Sequence, residues 1–196
     1  MSSELYPSPI AEANLQLNSQ EYIEGKTELT SYPYHIQIGA DNRCNLRCGF
    51  CLAAAYREKG YVHIQDQKLD RNPIELFERL IPYMPYWKYL SLTGPGESLI
   101  NRELDRILDL VRTNSDCVVL ITTNGVLINS RLAELFVKKR VDEISISIDS
   151  LKKDLYEELR VNARFETVMA AIDLLNEAKR KSNSPVPRIN LTPNFS

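Results

Sequence analysis

From residue 33 onward the chain alternates short extended segments with helical patterns, and this rhythm limits the folds open to it more than any other feature. Strands are expected at 34–39 (YHIQIG), 89–93 (YLSLT), 118–123 (VVLITT), 143–148 (EISISI) and 188–192 (RINLT). Between them lie helix signals. Asn72-Pro73-Ile74-Glu75 has the form of a capping box with proline at the first helical position. Asn101 precedes Leu104, Ile107, Leu108 and Val111 at helical spacing, Asn129 is placed to cap 130–140, and Phe165, Val168, Met169, Ile172 and Leu175 form a stripe on a helix over 164–181. Repeated strand–helix units of this kind build a parallel sheet.

Side chains alternate faces along a strand. Ile144, Ile146 and Ile148 therefore point one way and Ser145, Ser147 and Asp149 the other; Leu90 and Leu92 oppose Tyr89, Ser91 and Thr93. Parallel strands buried on both faces read as continuous aliphatics. Here one face suits packing under helices and the other is polar. A flat sheet with one solvated face would satisfy this pattern, but helices on a single face favour a curled sheet whose polar side lines a lumen. The expected fold is α/β, a partial parallel (β/α) barrel of about five βα units with its active site at the C-terminal strand ends. Residues 1–32 lack sustained periodicity and read as a lead-in or short cap, with residues 33–196 forming the core domain.

The length of 196 residues suits one domain, and the balance of 43% apolar to 26% charged residues is ordinary for a globular protein. A net charge of -2 gives no broad basic field, so nucleic acid and anionic membranes are not expected partners. The longest apolar runs, such as CVVLI at 117–121, are too short to span a bilayer, and the start MSSELYPSPI has no export signal. The expected location is cytoplasmic, where clustered cysteines serve metals or chemistry more often than disulfides.

Three of the four cysteines fall within eight residues, as Cys44-Asn-Leu-Arg-Cys48-Gly-Phe-Cys51. Cys117 begins an apolar run and reads as a small core residue. Three thiolates in one loop suit a metal or an iron–sulfur cluster. Structural zinc needs four protein ligands; no fourth cysteine is near, and His35 and His63 lie outside the loop, His63 reading as structural. Three ligands on a four-iron cube leave one iron open, as a catalytic cluster requires.

C-x3-C-x2-C directly after the first strand resembles the signature of the radical S-adenosylmethionine (SAM) superfamily, and the likeness continues to the C-terminus. It implies a [4Fe-4S] cluster on Cys44, Cys48 and Cys51. Phe50 matches the aromatic position near the SAM adenine. Thr93-Gly94-Pro95-Gly96-Glu97-Ser98 resembles the glycine-rich element that receives the SAM amino group, which implies roles for Gly94, Gly96 and Glu97; it lacks that element's first glycine and final proline. Thr123-Asn124-Gly125 resembles a Thr-Asn-Gly turn. Ser147-Ile148-Asp149 resembles a Ser-x-Asp ribose contact, and Arg160 the arginine that pairs with the SAM carboxylate. The resemblance implies an oxidoreductase or radical-based modifying enzyme that cleaves SAM reductively to a 5′-deoxyadenosyl radical for hydrogen abstraction. It also implies an electron donor of the flavodoxin or ferredoxin type. The style of the motifs is closest to members that modify peptides or proteins and carry a C-terminal auxiliary-cluster domain. The family's usual six units exceed the five expected here, so a C-terminally truncated core is expected, with a catalytically poor cluster- and SAM-binding module as the alternative.

Overall fold

The computed structural model describes residues 8–58 and 73–193. His63 and the Asn72 of the expected capping box lie outside them. Among these residues five strands form one sheet: β1 (His35–Gln37), β2 (Tyr89–Leu92), β3 (Val118–Thr123), β4 (Glu143–Ser147) and β5 (Arg188–Thr192). Their spatial order is their chain order and every pairing is parallel. Right-handed crossovers in that order carry every connection over the same face, so the helices stand on one side of the sheet and the other side stays concave.

Burial follows this division. Leu90, Leu92, Val119, Ile121, Ile144 and Ile146 are fully buried on the helix side, beneath α4 (Leu104–Asn114), α5 (Ser130–Lys138) and α7 (Phe165–Lys181). Each such aliphatic contributes roughly 1.5–3 kcal/mol of burial free energy. The concave face carries Ser91, Thr122, Ser145 and Ser147, all half-buried. The register places Ser91 beside Leu120 and Thr122 beside Ser145, so this face is polar toward the C-terminal strand ends and partly apolar below them. Among the described residues no helix is long and apolar enough to cross a membrane.

Caps fall largely where the sequence put them. Asn129 Oδ1 accepts the Leu132 N–H (3.0 Å) at the start of α5, and Asn101 Oδ1 accepts the Glu103 N–H (2.7 Å) just before α4. Two expectations shift. β1 is shorter than 34–39: Ile38 N–H still donates to Ser91 O (3.0 Å), but Gly39 then packs on Gly94 and leaves the ladder. The buried line of α7 runs through Val168, Ala171, Leu175 and Ala178, while Met169 is 37% exposed. Alanines on that line let α7 approach closely, and they carry less hydrophobic signal than the residues of the expected stripe.

Residues Pro9–Ile23 form a 15-residue helix, α1, within the segment that reads as a lead-in. Ser8 caps it by accepting the Ala11 N–H (3.2 Å), and Pro9 opens the first turn. Its docking is polar, which is why apolar periodicity did not reveal it. Asn14 Nδ2 donates to Tyr32 O (2.9 Å) and Tyr86 O (3.2 Å), and Lys88 pairs with Glu12 (3.0 Å). Glu21 accepts from Thr30 N–H (2.8 Å), Thr30 Oγ1 (2.6 Å) and Ser31 N–H (3.1 Å), closing the return loop toward β1.

Candidate cluster and cofactor site

Loops after the strands converge at their C-terminal ends on a cavity of about 490 Å³. Its lining includes Cys44, Cys48 and Cys51, Phe50, Gly94, Gly96, Glu97, Asn124, Ser147 and Arg160, residues drawn from a sequence span of more than a hundred positions. Of the residues to which the sequence gives cluster or SAM roles, Asp149 alone is absent from the lining, and it pairs with Arg160. A larger cleft of about 1120 Å³ lies at the other end, between α5, α7 and the start of β5, and none of these residues lines it.

The cysteine loop follows β1 and is tied down on both flanks. Glu97 N–H donates to Arg43 O (2.8 Å), and Arg47 N–H donates to Val161 O (3.1 Å) just beyond Arg160. Within the loop Cys51 N–H donates to Cys48 O (3.0 Å), and α2 (Leu52–Glu58) begins directly after. Leu46 N–H points at Cys44 Sγ (3.4 Å), and Asn124 Nδ2 approaches it more weakly (3.9 Å). Such donors stabilise a thiolate and tune an iron–sulfur centre. Burial pushes the Cys48 thiol up, with the Arg160 charge pulling the other way. Cys117 is buried at the foot of β3 and takes no part in the cavity.

The glycines let two loops touch. A Cβ on Gly96 would stand 2.3 Å from Asp41 O and 2.6 Å from Arg43 O, and one on Gly94 would stand 2.6 Å from Gly39 Cα. The glycine-rich loop and the run-in to Cys44 are therefore in backbone contact. Gly125, at φ +80°, makes the turn after β3.

Glu97 and Asn124 are occupied by the protein itself. Glu97 Oε1 accepts from Thr123 Oγ1 (2.8 Å) and Leu99 N–H (3.2 Å), and Oε2 accepts from Asn124 N–H (2.8 Å). Burial raises its pKa against the pull of these donors. Asn124 donates through Nδ2 to Asn45 Oδ1 (2.9 Å) and accepts the Val126 N–H through Oδ1 (3.0 Å). These two residues brace the site, joining the β2, β3 and cysteine loops. Thr123, the first residue of the Thr-Asn-Gly turn, and Asn45 complete the brace, and no motif pointed to Asn45.

Arg160, at the end of α6 (Lys153–Leu159), donates through Nε to Asp149 Oδ2 (2.6 Å), with the two side chains 6% and 4% exposed. Its guanidinium also stands over the Phe50 ring, 5.7 Å from the centroid. One face of the cavity thus presents an aromatic ring with a fixed cation beside it.

The donor set fits a cubic cluster. Three thiols line one cavity wall, and N–H donors serve Cys44 Sγ. Among the described residues no three His, Cys, Asp or Glu side chains converge on one ion-sized point, and a cube takes its ligands at separate corners.

A parallel strand–helix series with a thiol-rich loop at its C-terminal mouth defines a class, and residues 41–190 match the radical SAM superfamily. The chain belongs to that family of enzymes, whose cofactors are a [4Fe-4S] cluster and SAM. Among relatives, it is 30% identical over 142 residues to the GTP 3′,8-cyclase of Chlorobaculum tepidum, covering 72% of this chain and 40% of that protein. It is likewise 30% identical over 141 residues to molybdenum cofactor biosynthesis protein 1 of Drosophila melanogaster, covering 71% and 24%. Among solved structures, anSMEcpe with bound AdoMet superposes with a TM-score of 0.62 at 19% identity, over 81% of this chain and 43% of that one. Streptococcus suis SuiB bound to S-adenosylmethionine gives 0.64 at 17% identity, over 94% and 39%. The chain spans about two fifths of the length of the bacterial cyclases it matches.

Proposed function

We propose that this chain is the SAM-cleaving core of a radical SAM enzyme that abstracts hydrogen from a peptide or protein substrate. The observation that carries the reading is the single cavity in which three cysteine thiols face Phe50, Arg160 and the polar ends of β2–β4. When bound, the reduced cluster supplies one electron to the sulfonium of SAM, releasing methionine and a 5′-deoxyadenosyl radical.

The residues divide the remaining work. Cys44, Cys48 and Cys51 would hold the cluster through their thiolates. Arg160 has Nη donors left for the methionine carboxylate after giving Nε to Asp149. The Gly94 and Gly96 carbonyls receive the amine, Phe50 covers the adenine, and Ser147 and Asp149 sit at the strand end where the ribose belongs. Glu97 and Asn124 act by holding those loops in register. Arg43, paired with Asp41, precedes the cysteine loop and Arg47 lies within it, both at the surface, which suits an acidic electron donor of the flavodoxin or ferredoxin type, in a reducing cytoplasm.

Motif style and the fold shared with SuiB, one structure of which is bound to its precursor peptide SuiA, support the peptide reading. The relatives named GTP 3′,8-cyclase support a nucleotide instead. Anoxic reconstitution followed by dithionite decides the core claim: methionine and 5′-deoxyadenosine are expected in equal amounts. Cluster and SAM binding without turnover would point to a binding module that needs its missing partner. Added GTP decides between substrates. No change in 5′-deoxyadenosine yield supports the peptide reading, and stimulation with a new nucleotide product overturns it.

A further inference from the structure

Gly49 lies between Cys48 and Cys51 at the surface, and nothing among the described residues requires a glycine there. The turn is closed by the Cys51 N–H, which donates to Cys48 O (3.0 Å). Among the described residues the glycines at positive φ are Gly25 and Gly125, so the backbone of Gly49 is one that residues with side chains adopt. A Cβ built on it would meet nothing within 4 Å. Gly94 and Gly96 differ, because backbone contact excludes a side chain from both. Alanine in place of Gly49 would restrict the unfolded chain and so stabilise the fold. What the glycine keeps is therefore clearance beside the loop that carries two of the three cluster cysteines.

The surroundings show what that clearance suits. Phe50 and the three cysteines line the cofactor cavity, while Arg47, Gly49 and Val161 do not, so the loop has a cavity side and an outer side. The cavity side belongs to SAM in the reading above. On the outer side Arg47 and Gly49 are exposed. Val161 is 44% exposed, and its carbonyl accepts the Arg47 N–H (3.1 Å). Leu52, directly after Cys51, is 72% exposed at the cavity rim. Arg43 is paired with Asp41 (2.6 Å), whereas Arg47 forms no ion pair among the described residues. Two apolar side chains, one unpaired cation and a bare glycine next to the thiols make a small patch. Electron-transfer encounters use small interfaces, and an unpaired cation selects a partner with an acidic rim.

We propose that the outer face of the Cys48–Cys51 turn, centred on Gly49 with Arg47 beside it, is where an acidic one-electron carrier protein docks, and that Gly49 lacks a side chain so that the carrier can come close to the cluster. One electron passes from the reduced carrier to the oxidised cluster, and no bond forms or breaks. The inference rests on the SAM-cleaving reading above and names the surface that serves it.

The test compares wild type with Gly49→Trp and Arg47→Glu under two kinds of reductant. Dithionite is small and needs no docking face; reduced flavodoxin and reduced ferredoxin do. Both variants are expected to keep four irons and the wild-type yield of 5′-deoxyadenosine with dithionite. With the carrier that drives wild type better, both should lose about tenfold in kcat/KM for the carrier, the scale of one central interface contact. The Arg47→Glu deficit should shrink as salt is raised, because exposed charges are screened, and the Gly49→Trp deficit should persist. Calorimetric binding of the oxidised carrier should weaken in parallel, a readout independent of turnover. If tryptophan lowers the iron content, Gly49→Asp makes the same test with less bulk and a repelling charge. Carrier-driven turnover unchanged in the variants overturns the proposal. So does an equal loss with both kinds of reductant, or a wild type that turns over with dithionite and with neither carrier. A wild type that yields no 5′-deoxyadenosine with dithionite overturns instead the reading on which this rests.

Discussion

Arg160 carries five N–H groups and Asp149 occupies one of them, which leaves a guanidinium with a fixed direction. Breaking a buried pair by removing one partner costs about 3–5 kcal/mol. Asp149→Ala is therefore expected to lower stability in chemical denaturation and to weaken SAM binding by tenfold or more. Asp149→Asn keeps the shape and should recover part of the stability. Equal SAM affinity in both variants and wild type, by calorimetry, would contradict this role. The residue scale also shows what motifs reveal and what they hide. The cysteine spacing, the placement of Gly94 and Ser147 at strand ends and that of Arg160 at the end of α6 were legible because chemistry and turn geometry both restrict those residue types. The direction of each side chain was not legible. Glu97 and Asn124 look like ligand contacts in sequence, but their polar atoms are spent on Thr123, Leu99, Asn45 and Val126.

At the scale of elements, backbone proximity decides how the loops meet. Gly96→Ala would drive a methyl into Asp41 O and Arg43 O, both part of the backbone. The glycine-rich loop and the cysteine loop must then separate. The expected result is a folded protein with under half the wild-type iron content, read by iron analysis beside far-ultraviolet circular dichroism. Helix α1 offers a pH test. Hydrogen bonds from Ser31 and Thr30, the side chains first and the backbone after them, hold Glu21 down at about 2, against 4.5 for an ordinary glutamate. A lowered folded-state pKa means the contact supports folding above about 4.5 and loses that support as pH falls toward 2. The protection of the Thr30 and Ser31 amides against exchange, relative to an unfolded chain at the same pH, should therefore fall over that window, and Glu21→Gln should remove the dependence. This helix escaped sequence reading because its buried face is Ala11, Asn14 and Glu21, with no apolar stripe to find. The strands were legible because period-two alternation survives wherever only one face is buried.

For the molecule as a whole, the five-strand sheet places a hydrophobic layer under the helices and a cavity at one mouth. Ile146 is fully buried in that layer, and Ile146→Ala is expected to cost about 2–5 kcal/mol by denaturant titration. Little effect on the resting cluster spectrum is expected while the protein stays folded. Among the described strands β5 is the least buried, with Leu191 45% exposed. The overall architecture was readable from the strand–helix rhythm. The substrate was not, because no side-chain constellation outside the cofactor cavity carries comparable restrictions.

The central claim is that Cys44, Cys48 and Cys51 hold a cube with one iron left for SAM. Protein purified and reconstituted without oxygen should contain four irons per chain, and the resonance of its reduced cluster should change shape when SAM is added. Cys48→Ala should abolish both. Colourless protein without iron, one zinc per chain, or a cluster spectrum indifferent to SAM would contradict the account.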